Sequence, residues 1–160
     1  MKQVNIYTYS TAKSPRASKC EAVGYVIEYE TAKGEASAGN LLTVQGMTKY
    51  QSELHVLQKA LNRINTMCEL HIYTECDYIA AGFEKWLAEW KLQDWKNKRD
   101  EEVKNSKEWK ELDALVSKYG HVLVFHVKES HSYKKWFKEN LEKEKQKCLK
   151  NLENSTQQKR

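Results

Sequence analysis

Leu70-His71-Ile72-Tyr73-Thr74-Glu75-Cys76-Asp77-Tyr78-Ile79 carries a strand pattern straight into a helical one. Leu70 to Thr74 is a short strand pattern. From Asp77 to Lys91 the apolar residues Ile79, Phe83, Trp86, Leu87 and Trp90 recur at helical spacing instead. A second apolar strand, Val122 to Val127, follows a helix expected over Lys107–Lys118. Strands alternating with helices in this way build βαβ units, and so a sheet with parallel members.

Upstream the rhythm is different. Val4 to Tyr9 alternates, and Ala22 to Tyr29 places Val23, Tyr25, Ile27 and Tyr29 on one face. Gly34 to Gly39 is a weaker third strand, and such short spacings suggest an antiparallel meander. Leu54, Leu57, Leu61 and Ile64 then mark a helix, which Thr48 and Gln51 open as a capping box. The chain closes on a long helix from about Tyr133, with Phe137, Leu141, Cys148 and Leu152 on its apolar face. The expected order is β-β-β-α-β-α-α-β-α, an α/β fold with a five-stranded mixed sheet and helices on both faces. Residues 1–153 form the expected domain, and 154–160 a disordered tail.

Composition agrees with one soluble domain. The 160 residues are 40% hydrophobic and 31% charged, with 6 Gly and 1 Pro. That excludes disordered, collagen-like and membrane-spanning classes and leaves enough apolar surface for one core. Met1-Lys2-Gln3-Val4 lacks an apolar signal core, so a cytoplasmic location is expected. Cys20, Cys68, Cys76 and Cys148 have no metal-binding spacing, and reduced thiols are expected. The net charge of +5 lies entirely in residues 128–160, which hold 10 basic and 5 acidic side chains. A polyanionic partner and a merely solvated lysine face both fit that asymmetry.

Strand ends are where α/β sheets gather chemistry, and here those ends carry Tyr9 and Glu75. Glu53 lies in the first turn of its helix, beside the core-facing stripe. A carboxylate there either supports the helix dipole or points at the strand ends. Glu53 and Glu75 together offer a place for a divalent cation, but two carboxylates are few for two-metal chemistry.

The chain resembles type 1 ribonuclease H, the endonuclease that cuts RNA in RNA–DNA hybrids. The likeness covers roughly residues 2–145. It rests on Lys2-Gln3-Val4-Asn5-Ile6-Tyr7-Thr8, on Gly24-Tyr25-Val26-Ile27, on Ser52-Glu53-Leu54 and on Tyr73-Thr74-Glu75-Cys76-Asp77-Tyr78-Ile79 with Gly82. Its strongest part is Trp86-Leu87-Ala88-Glu89-Trp90-Lys91, followed by Trp95-Lys96, Val103-Lys104-Asn105, Trp109 and Leu112-Asp113. The resemblance implies four catalytic acids holding two Mg²⁺ or Mn²⁺ ions. Glu53 matches the second and Glu75 the third, one methylene longer. Tyr9 stands at the first position, and Asn140 in Lys138-Glu139-Asn140-Leu141 aligns best with the fourth. A neutral phenol and an amide remove two of four negative charges. Glu129, Asp77 and Glu139 are the other acids available to compensate, although Glu139 is turned about 100° from Asn140 on the helix.

For nucleic acid, the resemblance points to Lys49 and Tyr50 before the catalytic Glu, and to a basic handle of Lys91, Trp95, Lys96, Lys98 and Arg99. Basic side chains around an aromatic suit phosphate-backbone contact, while Asp100-Glu101-Glu102 offsets part of their field. Trp86 and Trp90 read as helix packing, and His131 as a loop residue near the family's mobile histidine. The expected function is a degenerate ribonuclease H relative that binds a hybrid or other duplex. An active hybrid endonuclease (a hydrolase using Mg²⁺ or Mn²⁺) and a protein-interaction module with a protein partner are the alternatives.

Overall fold

The computed structural model describes residues 1–158. Strands β1 (Lys2–Ser10), β2 (Glu21–Thr31) and β3 (Gly34–Val44) precede helix α1 (Lys49–Leu61). Strand β4 (Cys68–Thr74) leads into α2 (Asp77–Ala81), a π-helical turn (Gly82–Trp86) and α3 (Leu87–Leu92). Helix α4 (Ser106–Tyr119), strand β5 (Val122–Val127) and helix α5 (Lys134–Gln158) complete the order. The strands lie side by side as β3-β2-β1-β4-β5. The first three run antiparallel, whereas β4 and β5 join β1 in parallel. The mixed sheet is thus the expected one.

Alternation along the strands separates two cores. Val4, Ile6, Val23, Tyr25, Ile27, Leu70 and Ile72 face Leu54, Leu57, Leu61, Trp109 and Leu112 of α1 and α4. The opposite face presents Tyr7, Ala22 and Val26 to Phe137 and Leu141 of α5. Gly24 permits that second contact, because a Cβ there would lie 3.0 Å from the Phe137 ring and 2.9 Å from Leu41. Thr48 and Gln51 close both hydrogen bonds of the capping box on α1, at 3.2 and 3.1 Å.

Four expectations need correction. The weak third strand continues to Val44, paired with β2 along its length. The helix expected over Asp77–Lys91 is interrupted by its π turn, where Gly82 takes the Trp109 indole against its backbone. Residues 154–158, expected as disordered tail, continue α5, and 159–160 lie outside the described residues. Cys20 and Cys148 form a disulfide across 128 residues of sequence, while Cys68 and Cys76 are free and buried. The packing of α5 over β1, β2 and β3 brings the two sulfurs together, a juxtaposition that leaves no local spacing motif. No helix among the described residues is long and apolar enough to cross a membrane.

Candidate functional site

Parallel pairing of β1 with β4 sets the ends of both strands side by side, so Tyr9 and Glu75 become neighbours. Helix α1 rises against them, with Ser52 hydrogen-bonded to Ser10 at 2.7 Å and Glu53 buried at 4% exposure. Burial pushes the Glu53 carboxyl up to about 7; Lys49 draws it down and Glu75 adds to the rise. Burial, with the charges of Glu75 and Glu53, likewise raises the Tyr9 phenol, which therefore stays neutral. Its ring stacks on Phe137 at 6.0 Å between centroids. An aromatic ring thus fills the end of β1 beside the two acids.

Lysines complete the site. Lys134, at the start of α5, forms an ion pair with Glu75. Lys138 lines one groove with Tyr9, Thr11, Lys13, Glu142 and Lys145. Lys145 reaches the buried Glu21 carboxylate at 2.9 Å. Lys134, Lys138 and Lys145 fall within about 40° of each other around the helix, at 100° per residue. Asn140 is turned about 200° from Lys138, and its amide donates to the Trp136 carbonyl at 2.9 Å. On its polar side α5 therefore turns Lys138, not Asn140, into the groove that Tyr9 lines. The i, i+4 pair Lys134 and Lys138 was the available signal, but the choice of face depended on how Phe137 and Leu141 docked.

Two of the three other acids are engaged elsewhere. Asp77 pairs with Lys128 at 3.0 Å, and Glu129 pairs with His126. Glu139 is exposed. Among the described residues no three His, Cys, Asp or Glu side chains group to hold a metal ion. One buried carboxyl and one carboxylate already neutralised by an ammonium do not fit a pair of divalent cations.

The expected nucleic-acid residues fall on a connected surface. Tyr50, 42% exposed, stacks on Tyr78 at 4.0 Å, beside Lys49 at the start of α1. Aromatic contacts continue from Tyr78 to Trp86, from Trp86 to Trp90, and from Trp90 to Trp95, at 6.1, 5.9 and 6.3 Å. Trp90 packs on Trp109, as expected, but Trp86 is 38% exposed and so available to a ligand. In the handle, Lys98 and Arg99 are exposed. Lys91 is held by Asp113 at 3.2 Å and Lys96 lies 3.7 Å from Asp100, while Lys110 covers the Trp95 ring. His131 packs against Tyr7 at 4.7 Å, and burial with nearby Lys134 lowers its basicity.

The strand order and the helices packed on both faces of the sheet define a ribonuclease H-like α/β domain. The ribonuclease H family model matches residues 1–142, and the chain belongs to that family. Ribonuclease H of Francisella philomiragia is 30% identical over 118 residues, covering 74% of this chain and 75% of the relative. Ribonuclease H of Francisella tularensis subsp. novicida is 39% identical over 72 residues, 45% of this chain and 47% of its own length. Among solved structures, LC9-RNase H1, a type 1 enzyme with the type 2 active-site motif, superposes with a TM-score of 0.67 at 18% identity. That match covers 82% of this chain and 65% of the other. A foamy viral protease-reverse transcriptase in complex with dsDNA gives 0.59 at 20% identity, covering 82% and 85%. LC11-RNase H1 in complex with an RNA/DNA hybrid gives 0.51 at 18% identity, covering 79% and 86%. At such identities the structural likeness establishes the fold.

Proposed function

We propose that this chain binds an RNA–DNA hybrid or related duplex through backbone contacts and no longer performs two-metal cleavage. The observation that carries the reading is the Lys134 ammonium paired with Glu75, opposite a buried Glu53 and beside Tyr9. Catalysis by two metals needs several carboxylates free to hold the ions against a phosphodiester. Here one acid is already matched by a side-chain cation. The same ammonium groups that repel divalent ions attract phosphate, so the site changes sign without losing its attraction for nucleic acid.

Binding surface is supplied by Lys49 and Tyr50 at the site's edge, Lys138 in the groove beside Tyr9, and Lys98 and Arg99 on the handle. Tyr50 and Trp86 offer exposed ring faces between those cations. Titration of a labelled hybrid against salt tests the reading. Contacts by four cations predict a log–log slope of about −3.6, unchanged when Mg²⁺ is replaced by chelator at equal ionic strength. Replacing Lys98 and Arg99 together by Ala should bring the slope closer to zero by about 2. No binding at low salt would refute the proposal. It would turn attention to a protein partner, the reading favoured by the aromatic filling of the site through Tyr9 and Phe137.

A further inference from the structure

The sheet face beyond the edge of α5 carries a side-chain chain that the nucleic-acid reading does not use. Glu69 and His71 lie on β4, His126 on β5 and Glu129 just after it. His71 Nε2 lies 3.0 Å from Glu69 Oε2, and His126 Nδ1 contacts Glu129 Oε2. The two remaining ring nitrogens, His71 Nδ1 and His126 Nε2, face each other at 2.9 Å. A carboxylate only accepts hydrogen bonds, so each outer nitrogen carries its proton toward its glutamate. Both inner nitrogens then present lone pairs to one another. A hydrogen bond at that distance therefore needs one added proton between them, and a metal ion can take that proton's place.

We propose that His71 and His126 form a cross-strand binding site for a late first-row divalent ion, Cu²⁺ or Ni²⁺. Imidazoles whose far nitrogens are held by carboxylates have the arrangement that orients metal-binding histidines. Two nitrogens each about 2.0–2.1 Å from one ion, at a right angle, are about 2.9 Å apart, the cis geometry of a tetragonal site. Charge points the same way, because two carboxylates and one dication sum to zero. Tyr73 stacks on His126 at 4.4 Å and fixes its plane, while Tyr7 stacks on Tyr73 at 4.7 Å. Side-chain exposures of 18% for His71 and 23% for His126 leave the pair open to solvent on one side. The protein gives two ligands and water the rest. Without metal, one shared proton bridges the nitrogens, and the ion displaces it into solution.

Electron paramagnetic resonance of the full chain titrated with Cu²⁺ tests this. One ion should bind with hyperfine structure from two imidazole nitrogens and release about one proton. His71→Gln and His126→Gln should each lose one nitrogen from the spectrum and at least tenfold in affinity, and Glu69→Gln about tenfold. Circular dichroism confirms that these surface variants fold. Copper bound with no nitrogen signature would overturn the proposal, as would binding unchanged in His71→Gln or an ion lost with Glu75→Gln but kept without His71.

Discussion

Glu53 is the buried acid of the site, and burial is the main force on its protonation. Its carboxyl titrates near 7 in the folded protein against an ordinary value of 4.5, so the folded state holds the proton more tightly than the unfolded chain. The stabilisation that this proton brings is present below pH 4.5 and is lost as pH rises through 7. The interval corresponds to about 3 kcal/mol. Urea unfolding at pH 5 and pH 7.5 should show Glu53→Gln gaining on the wild type by roughly that amount at the higher pH. An equal difference at both pH values would contradict the assignment. Lys134 makes the complementary prediction. Lys134→Met frees Glu75 of its counter-ion, so Mn²⁺ should raise the melting temperature of the variant and leave that of the wild type unchanged. A wild type stabilised equally well by Mn²⁺ would count against the lysine's role.

At the scale of elements, α5 has the largest part in both fold and site. It buries Phe137 and Leu141 on the sheet, supplies Lys134 and Lys138, and is tied to the start of β2 by Cys20–Cys148. Closing so long a loop restricts the unfolded chain, and typical disulfides contribute about 2–4 kcal/mol. Reduction, or Cys148→Ser, should lower unfolding stability by that amount and speed amide exchange in the distal part of α5. An unchanged denaturation midpoint would show that the bridge adds nothing. Phe137 and Leu141 were legible in the sequence because their spacing is helical and their neighbours are polar. The orientation of the helix was not. A lysine-rich helix gives several equivalent polar faces, and only the docking of its apolar pair selects Lys134 and Lys138 over Asn140. The disulfide was hidden for a related reason, since 128 residues separate two cysteines that only tertiary packing brings together.

Across the whole molecule, the order of elements and the location of Tyr9, Glu53 and Glu75 could be read from periodicity and resemblance, because each lies at the end or start of a strongly patterned element, whereas the lateral order of the strands comes from their pairing. The aromatic row from Tyr50 through Tyr78, Trp86 and Trp90 to Trp95 could not, because it joins α1 to residues of α2, the π turn, α3 and the stretch after it. Charge gives this surface its direction: α5 brings ammonium groups to a strand-end site that retains two acids. The most direct test is cleavage of an end-labelled RNA–DNA hybrid by the purified chain in Mg²⁺ and in Mn²⁺, on the same samples whose binding has been measured. The hybrid should be bound and remain intact in both metals. Metal-dependent fragments that disappear with Glu53→Gln would contradict the account.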